Sequence, residues 1–246
     1  MIRVHSLGND RVRRVLALQR STRRRFREGL MVTEGLRLVA EVARSCVPIL
    51  EVFVTSEYLR GTPEAASLVD TLAPAAVIVE VSDEVMAAMA ETVTPQGILA
   101  VSSIPDLAPV AGEAFTLIPD QVRDPGNLGT MLRTAWAAGV TQILLPHGTV
   151  DYTNPKVVRA GMGAHFHLPI HTLDWTEIWE RLASARVWLA EARRGQSYET
   201  VDWRGETALV VGGEATGAGR GARSGAEYVH IPMAPGVESL NAAVAA

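Results

Sequence analysis

Three short segments concentrate the polar groups that could do chemistry. The first, DPGNLGTMLRTAWAAG from Asp124 to Gly139, joins a Pro/Gly/Asn turn to an amphipathic helix that carries Arg133. Asn127 can cap the unpaired amides of the first turn, and Gly139 is a natural helix stop. Leu128, Leu132, Ala135 and Trp136 recur at the spacing of an apolar helix stripe lying on a sheet. Arg133 lies off that stripe, and Gly129, four residues earlier, leaves space beneath the guanidinium for a ligand.

The second segment, GGEATGAGRG from Gly212 to Gly221, follows the apolar run ALVV, and its glycines let backbone amides approach a ligand closely. A P-loop would need lysine where Ala218 stands, and no GxGxxG follows the strand directly, so ATP and NAD fit poorly. Spacing alone also allows a purely structural glycine turn. Glu214 favours a site, because a carboxylate among exposed amides needs a partner and can orient one. In the third segment, HIPMAPGVESLNAAVAA, a strand and a Pro/Gly loop lead to Glu238, Ser239 and Asn241 at a helix N-terminus. Capping accounts for one of these polar groups and not for all three.

Two other constellations point elsewhere. His165, His167 and His171 in HFHLPIH could share one face of a strand, but Pro169 interrupts the run and no carboxylate or cysteine lies within it. Structural histidines are the favoured reading, and no metal is expected. A Ser/His/Asp hydrolase is unsupported, since no GxSxG elbow occurs.

The elements that must position these groups alternate along the chain. Before residue 102 the pattern predicts a basic helix from Asp10, an extended LMVTEG, a helix GLRLVAEVARS, strands ILEVFVTS, AAVIVEV and ILAVSSI, and a helix DEVMAAMAE, together a small α/β unit. SSIPDLAPVAGE, rich in Pro, Ala and Ser without periodicity, predicts a linker, so the domains are read as 1–104 and 114–246 joined by 105–113. From Ala114 near-continuous apolar strands, HFHLPI among them, alternate with helices, which predicts a parallel sheet covered on both faces. All three polar segments fall beyond carboxyl ends of its strands, where ligands gather in such sheets.

Composition bounds the function. The chain has 246 residues with 48% hydrophobic content, enough for a substantial core, and its longest apolar runs are too short to span a bilayer. The N-terminal MIRVHSLGNDRVRR carries no apolar stretch of a signal peptide, and the single cysteine, Cys46, fits a reducing compartment, so a cytoplasmic protein without a membrane partner is expected. The formal net charge is −4, yet Arg11, Arg13, Arg14, Arg20, Arg23, Arg24, Arg25 and Arg27 crowd one stretch with no acidic residue among them. Such a run reads either as a solvated helix face or as a phosphate-binding patch, and its density favours nucleic acid.

Taken in order, DPG with NLGTMLRTAWAAG, LVVGGEATGAG and IPMAPGVESLNAAVA resemble the three motifs of the SpoU (TrmH-like) RNA 2′-O-ribose methyltransferases of the SPOUT class. The first domain, ending near TPQGILAV, resembles the L30e-like substrate-binding extension of members that act on large-subunit ribosomal RNA. The resemblance implies an α/β fold whose parallel sheet ends in a C-terminal deep trefoil knot, an exception to unthreaded chains, and a homodimer. It implies S-adenosyl-L-methionine as methyl donor, no metal, and 23S ribosomal RNA as substrate, with transfer RNA as the second choice. Asn127, Arg133, Glu214, Ser239 and Asn241 would then form the catalytic set, and Gly212, Gly213, Glu214, Gly217, Ile231, Met233 and Leu240 would hold the donor. Arg159, in NPKVVRAGMGA, would shape the RNA entrance, while Gly161 stands where serine is common in relatives.

The family's usual assignment makes Arg133 the base, whereas the chemistry of a guanidinium equally allows a charged clamp on phosphate and developing alkoxide. Relatives continue past SLN with a long helix, of which only the residues to Ala246 follow in this sequence. A non-catalytic ribosomal-RNA-binding or assembly protein is the competing class, and the intact motif residues argue against it.

Overall fold

The computed structural model describes residues 1–108, 114–214 and 217–246. They divide into two compact units, one of residues 1–105 and 153–166, the other of residues 106–152 and 167–246. The expected linker, 105–113, therefore falls on the division after Pro105, and its part from 109 to 113 lies outside the described residues.

The first unit is built on a mixed five-stranded sheet. In chain order it runs β1 (Ile2–Val4), α1 (Asp10–Arg20), α2 (Thr22–Glu28), β2 (Leu30–Glu34), α3 (Leu36–Arg44), β3 (Ile49–Thr55), α4 (Ser56–Gly61), α5 (Pro63–Leu72), β4 (Val77–Val81), α6 (Asp83–Met89) and β5 (Ile98–Ser103). The strand order is β1-β4-β3-β5-β2, with β5 antiparallel to both neighbours and the other pairs parallel. One face buries Val12, Val15 and Leu18 of α1 with Met86 and Met89 of α6 against Phe53 and Leu99. The other buries Val39 and Val42 of α3 against Val52, Val54 and Ile98.

The basic stretch is two helices, not one. Ser21 takes extended backbone, and its hydroxyl accepts from the Arg24 N–H, which caps α2 and ends α1. Helices α4 and α5 escape the periodicity because each is short and one-sided, but local caps start them: Thr55 accepts from the Tyr58 N–H, and Pro63 sits in the first turn of α5.

The second unit begins with β6 (Phe115–Asp120), α7 (Pro125–Ala137) and β7 (Gln142–Pro146). The following α8 (Pro155–Gly161) belongs with the first unit, where Val158 and, beyond it, Phe166 enter the α3 face of the core. The second unit resumes with β8 (Ile170–Leu173), α9 (Trp175–Arg181), β9 (Arg186–Ala190), β10 (Gln196–Ser197), β11 (Thr207–Gly212), α10 (Arg220–Arg223), β12 (Glu227–His230) and α11 (Ala242–Ala245). Its seven strands run β10-β12-β9-β11-β6-β7-β8, every pair parallel. Ile118, Leu144, Leu189 and Val210 from four of them pack with Ile178 of α9 and Ala222 of α10, which is why those strands read as unbroken apolar runs.

Two expectations fail locally. HFHLPI is not one strand: Ala164–Phe166 form a single 3-10 turn, and Pro169, which cannot donate to a ladder, precedes β8. His165 is buried in that turn while the His167 ring stacks on Trp136 with centroids 4.2 Å apart, so the histidines share no ligating face. The last helix begins at Ala242 with Asn241 as its cap, which leaves Glu238 and Ser239 in the loop ahead of it.

Candidate active site

Strands β9, β11 and β12 lie side by side, and their carboxyl ends deliver Glu191, Gly212 to Glu214, and Ile231 to one edge of the sheet. A cavity of about 1170 Å³ opens there. Gly212, Gly213, Glu214, Gly217, Ile231, Met233 and Leu240, the residues expected to hold the donor, all line it, as do Ser239 and Asn241.

Close backbone approach explains the glycines. A Cβ on Gly213 would stand 2.0 Å from the Gln121 carbonyl oxygen, and one on Gly212 would stand 2.3 Å from the Ala218 nitrogen. Both contacts are with backbone, so neither can be relieved by a rotamer change. Gln121 itself is held in the left-handed region at φ 60°, directly after β6, and its side-chain amide donates to the His147 carbonyl at 3.1 Å.

Asp120, the last residue of β6, fixes the other end of the glycine loop. Its Oδ2 accepts from the Gly219 N–H at 2.6 Å. The carboxyl is fully buried, and desolvation pushes its pKa above the usual value even though hydrogen bonds from Gly219, Trp175 and Gln121 pull the other way.

The start of α7 shows why Asn127 is available for a site. Asp124, not Asn127, is the N-cap, and its Oδ1 accepts from the Asn127 N–H at 2.7 Å. The Asn127 side chain is thereby released from capping. Its Nδ2 donates to Glu214 Oε1 at 2.6 Å, and its Oδ1 accepts from Asn241 Nδ2 at 3.1 Å. Asn241 Oδ1 in turn accepts from the Ala243 N–H at 2.9 Å and caps α11. One amide thus ties together all three polar segments at the cavity edge. The arrangement holds a carboxylate and two carboxamides in fixed orientation, which suits alignment of a polar acceptor.

Arg133 is not brought to this cluster. Six residues separate it from Asn127, about 240° around α7 and about 9 Å along it, and it is exposed and absent from the cavity wall. The expected empty face beneath it is also absent, because Gly129 is buried by packing of α7.

The arginine-rich stretch splits by role. Arg25 is 2% exposed, donating to Thr153 Oγ1 at 2.8 Å and to the Leu18 carbonyl at 2.6 Å, so it is a core guanidinium and not part of a binding face. Arg11 and Arg14 pair with Glu51, and Arg14 and Arg24 with Glu28. Arg13, Arg20, Arg23 and Arg27 are exposed. Arg159 is paired with Glu91, which also takes Lys156 at 3.7 Å. Among the described residues no group of three His, Cys, Asp or Glu side chains could hold a metal ion, and no helix is long and apolar enough to cross a membrane.

Sequence reasoning did not single out Asp120, Gln121, Glu191 and Arg223. Asp120 ends β6, Gln121 and Glu191 directly follow β6 and β9, and position at a strand's carboxyl end is the signal that could have found these three, whereas Arg223 ends the short α10 and carries no such signal.

Residues 114–246 match the family model described as the SpoU rRNA Methylase family, and residues 9–100 match the MRM3-like substrate binding domain. Across 97% of its length the chain is 31% identical to rRNA methyltransferase 3, mitochondrial, of Homo sapiens, and it covers 70% of that protein. It is 30% identical over 100% of its length to 23S rRNA (guanosine(2553)-2'-O)-methyltransferase RlmP of Bacillus subtilis, covering 96% of it. An AdoMet-bound rRNA methyltransferase from Sinorhizobium meliloti superposes with a TM-score of 0.84 at 28% identity, over 99% of this chain and 93% of that one.

Proposed function

The chain belongs to the SpoU rRNA methylase family and is an RNA methyltransferase, and we propose that it transfers methyl from S-adenosylmethionine to a ribose 2′-hydroxyl of 23S ribosomal RNA. The observation that carries this reading is Asn127, whose amide joins Glu214 to Asn241 beside the glycine-walled cavity.

The cavity fits that donor. Gly212 and Gly213 pack against the Ala218 and Gln121 backbone and present the loop's own main chain to the cavity, while Ile231, Met233 and Leu240 offer apolar surface to an adenosyl group. Bound there, S-adenosylmethionine would supply an activated methyl group on a sulfonium. The residues of this chain do the rest. Asn127 holds Glu214 in place, Ser239 and Asn241 present polar groups to the acceptor ribose, and the fixed cluster lowers the entropic cost of in-line alignment. Arg133 clamps an RNA phosphate and stabilises charge developing on the acceptor oxygen, the role that suits a side chain that stays protonated in proteins. Water takes the acceptor proton.

A homodimer belongs to this reading. What supports it is the exposure of Arg133, outside its own chain's cavity wall, where a two-fold partner would complete the neighbouring site. The packing of α11 against α7 and β11 supports a threaded, trefoil-knotted C-terminal segment. We assign residues 9–100 to an L30e-like RNA-docking domain and the exposed Arg13, Arg20, Arg23 and Arg27 to its phosphate contacts, and a cytoplasmic setting belongs to the same reading.

The direct test offers labelled S-adenosylmethionine to purified 23S, 16S and transfer RNA and maps 2′-O-methyl stops by primer extension. Label is expected on ribose in 23S RNA. Label on a base, or on transfer RNA alone, would overturn the reading.

A further inference from the structure

One carboxylate of the cavity wall has no part in the cluster around Asn127. Glu191 follows β9 directly, with its N–H donating to the Val229 carbonyl at 2.9 Å, so the side chain starts from the sheet edge between the glycine loop and Ile231. Its Oε1 lies 2.7 Å from Arg223 Nη2. That guanidinium also donates from Nε to the Ala218 carbonyl at 3.0 Å, which anchors Glu191 to the glycine loop and fixes its rotamer. The contact is an ion pair in which Oε1 makes no hydrogen bond, and Glu191 lines the cavity with its side chain 27% exposed, so the carboxylate keeps acceptor capacity there. His230, on the adjacent strand, lines the same wall with a buried Nδ1 that has no hydrogen-bond partner among the described residues. A wall with an unsatisfied buried nitrogen and a half-engaged carboxylate is built for a polar ligand group.

We infer that Glu191 accepts hydrogen bonds from the ribose diol of the adenosyl donor, a binding role that rests on the proposed function. In dinucleotide-binding α/β sheets an acidic side chain near the ligand crevice accepts from the ribose hydroxyl, and Glu191 offers the same chemistry here. Its two oxygens suit adjacent hydroxyl donors, and the ion pair with Arg223 orients it. The competing occupant, the donor's ammonium group, would be attracted by charge alone, and a purely structural tether would recognise no ligand group at all.

A thermodynamic cycle separates these. Calorimetry measures binding of 5′-methylthioadenosine, which has the ribose and no ammonium, and of its 2′,3′-dideoxy analogue to the wild type, Glu191→Gln, Glu191→Ala and Arg223→Ala. Loss of the diol should weaken wild-type binding about tenfold or more and Glu191→Ala binding hardly at all, as expected for hydrogen bonds to a charged group. Arg223→Ala, which removes the tether and leaves the carboxylate, should shrink the diol's effect without abolishing it. An equal diol effect in wild type and Glu191→Ala would overturn the inference while leaving the donor site intact. Failure of the wild type to bind either the thioether or S-adenosylmethionine would instead overturn the proposed function.

Discussion

Asn127 and Glu214 stand 87 positions apart in the sequence, yet Asn127 Nδ2 donates to Glu214 Oε1 at 2.6 Å. Because Asp124 has taken over capping, the Asn127 amide can face both ways and receive Asn241 on its oxygen. The two contacts need an amide with a donor and an acceptor on one planar group, which neither aspartate nor serine supplies.

Asn127→Asp should therefore break the cluster by setting two carboxylates against each other. Single-turnover methyl transfer is expected to fall by about 100-fold, with the melting temperature nearly unchanged because the site is near the surface. Transfer at the wild-type rate would show that the bridge has no part in alignment.

For Arg133 the expectation is a split between binding and transfer. It is exposed and outside the cavity wall, so Arg133→Ala should bind S-adenosylmethionine like the wild type in calorimetry while losing transfer by about 100-fold or more. Arg133→Lys should recover part of the rate with an unchanged pH profile, since a lysine still presents a charge to phosphate. A profile that follows the new side chain's titration would assign the proton to residue 133.

Gly213→Ala places a Cβ 2.0 Å from the Gln121 carbonyl oxygen. Backbone must move, at a cost of about 1–3 kcal/mol in stability, and donor affinity should drop tenfold or more as the loop is displaced. Gly61→Ala, where a Cβ meets nothing within 4 Å, serves as the neutral control in both thermal melts and calorimetry.

The extent to which the sequence disclosed this site differs residue by residue. Apolar runs such as ILLP and ALVV announced the parallel sheet because both faces of those strands are covered, and Gly212 and Gly213 were legible because a backbone contact excludes any side chain. The capping of α7 was misread, since Asp124 and Asn127 are both good caps and only the tertiary pull of Glu214 and Asn241 decides between them. Arg25 was misread for a similar reason. A guanidinium buried against Thr153 looks, in sequence, like any member of a basic run, and its partner lies 128 positions away.

Asp120 gives a pH-dependent expectation. Burial holds its pKa above the usual 3.8, so the native state binds that proton more tightly than the unfolded chain. The group's contribution to stability is then fully present below the unfolded value and is lost as pH rises through the folded one. Asp120→Asn lacks that slope while its amide oxygen still accepts from Gly219. Its melting temperature should gain on the wild type as pH is raised from about 4 to neutrality, with donor binding retained. A difference constant across that range would remove Asp120 as the titrating group.

Arg20 and Arg23 against Arg25 tests the division of the basic stretch. Arg20 and Arg23 are exposed and make no ion pair within the described residues, so replacing each by alanine should leave thermal stability within about 0.5 kcal/mol. Each loss should weaken binding of 23S RNA fragments and lower the slope of log affinity against log salt by about 0.7–0.9. Arg25→Ala acts through the fold instead. It leaves the Leu18 carbonyl and Thr153 hydroxyl without their charged donor in the core, with a stability loss on the order of 3 kcal/mol. The salt slope of whatever protein remains folded should match the wild type. A reduced slope for Arg25→Ala alone would reverse the assignment and make Arg25 the phosphate contact, so melts and salt titrations on all three variants decide it together.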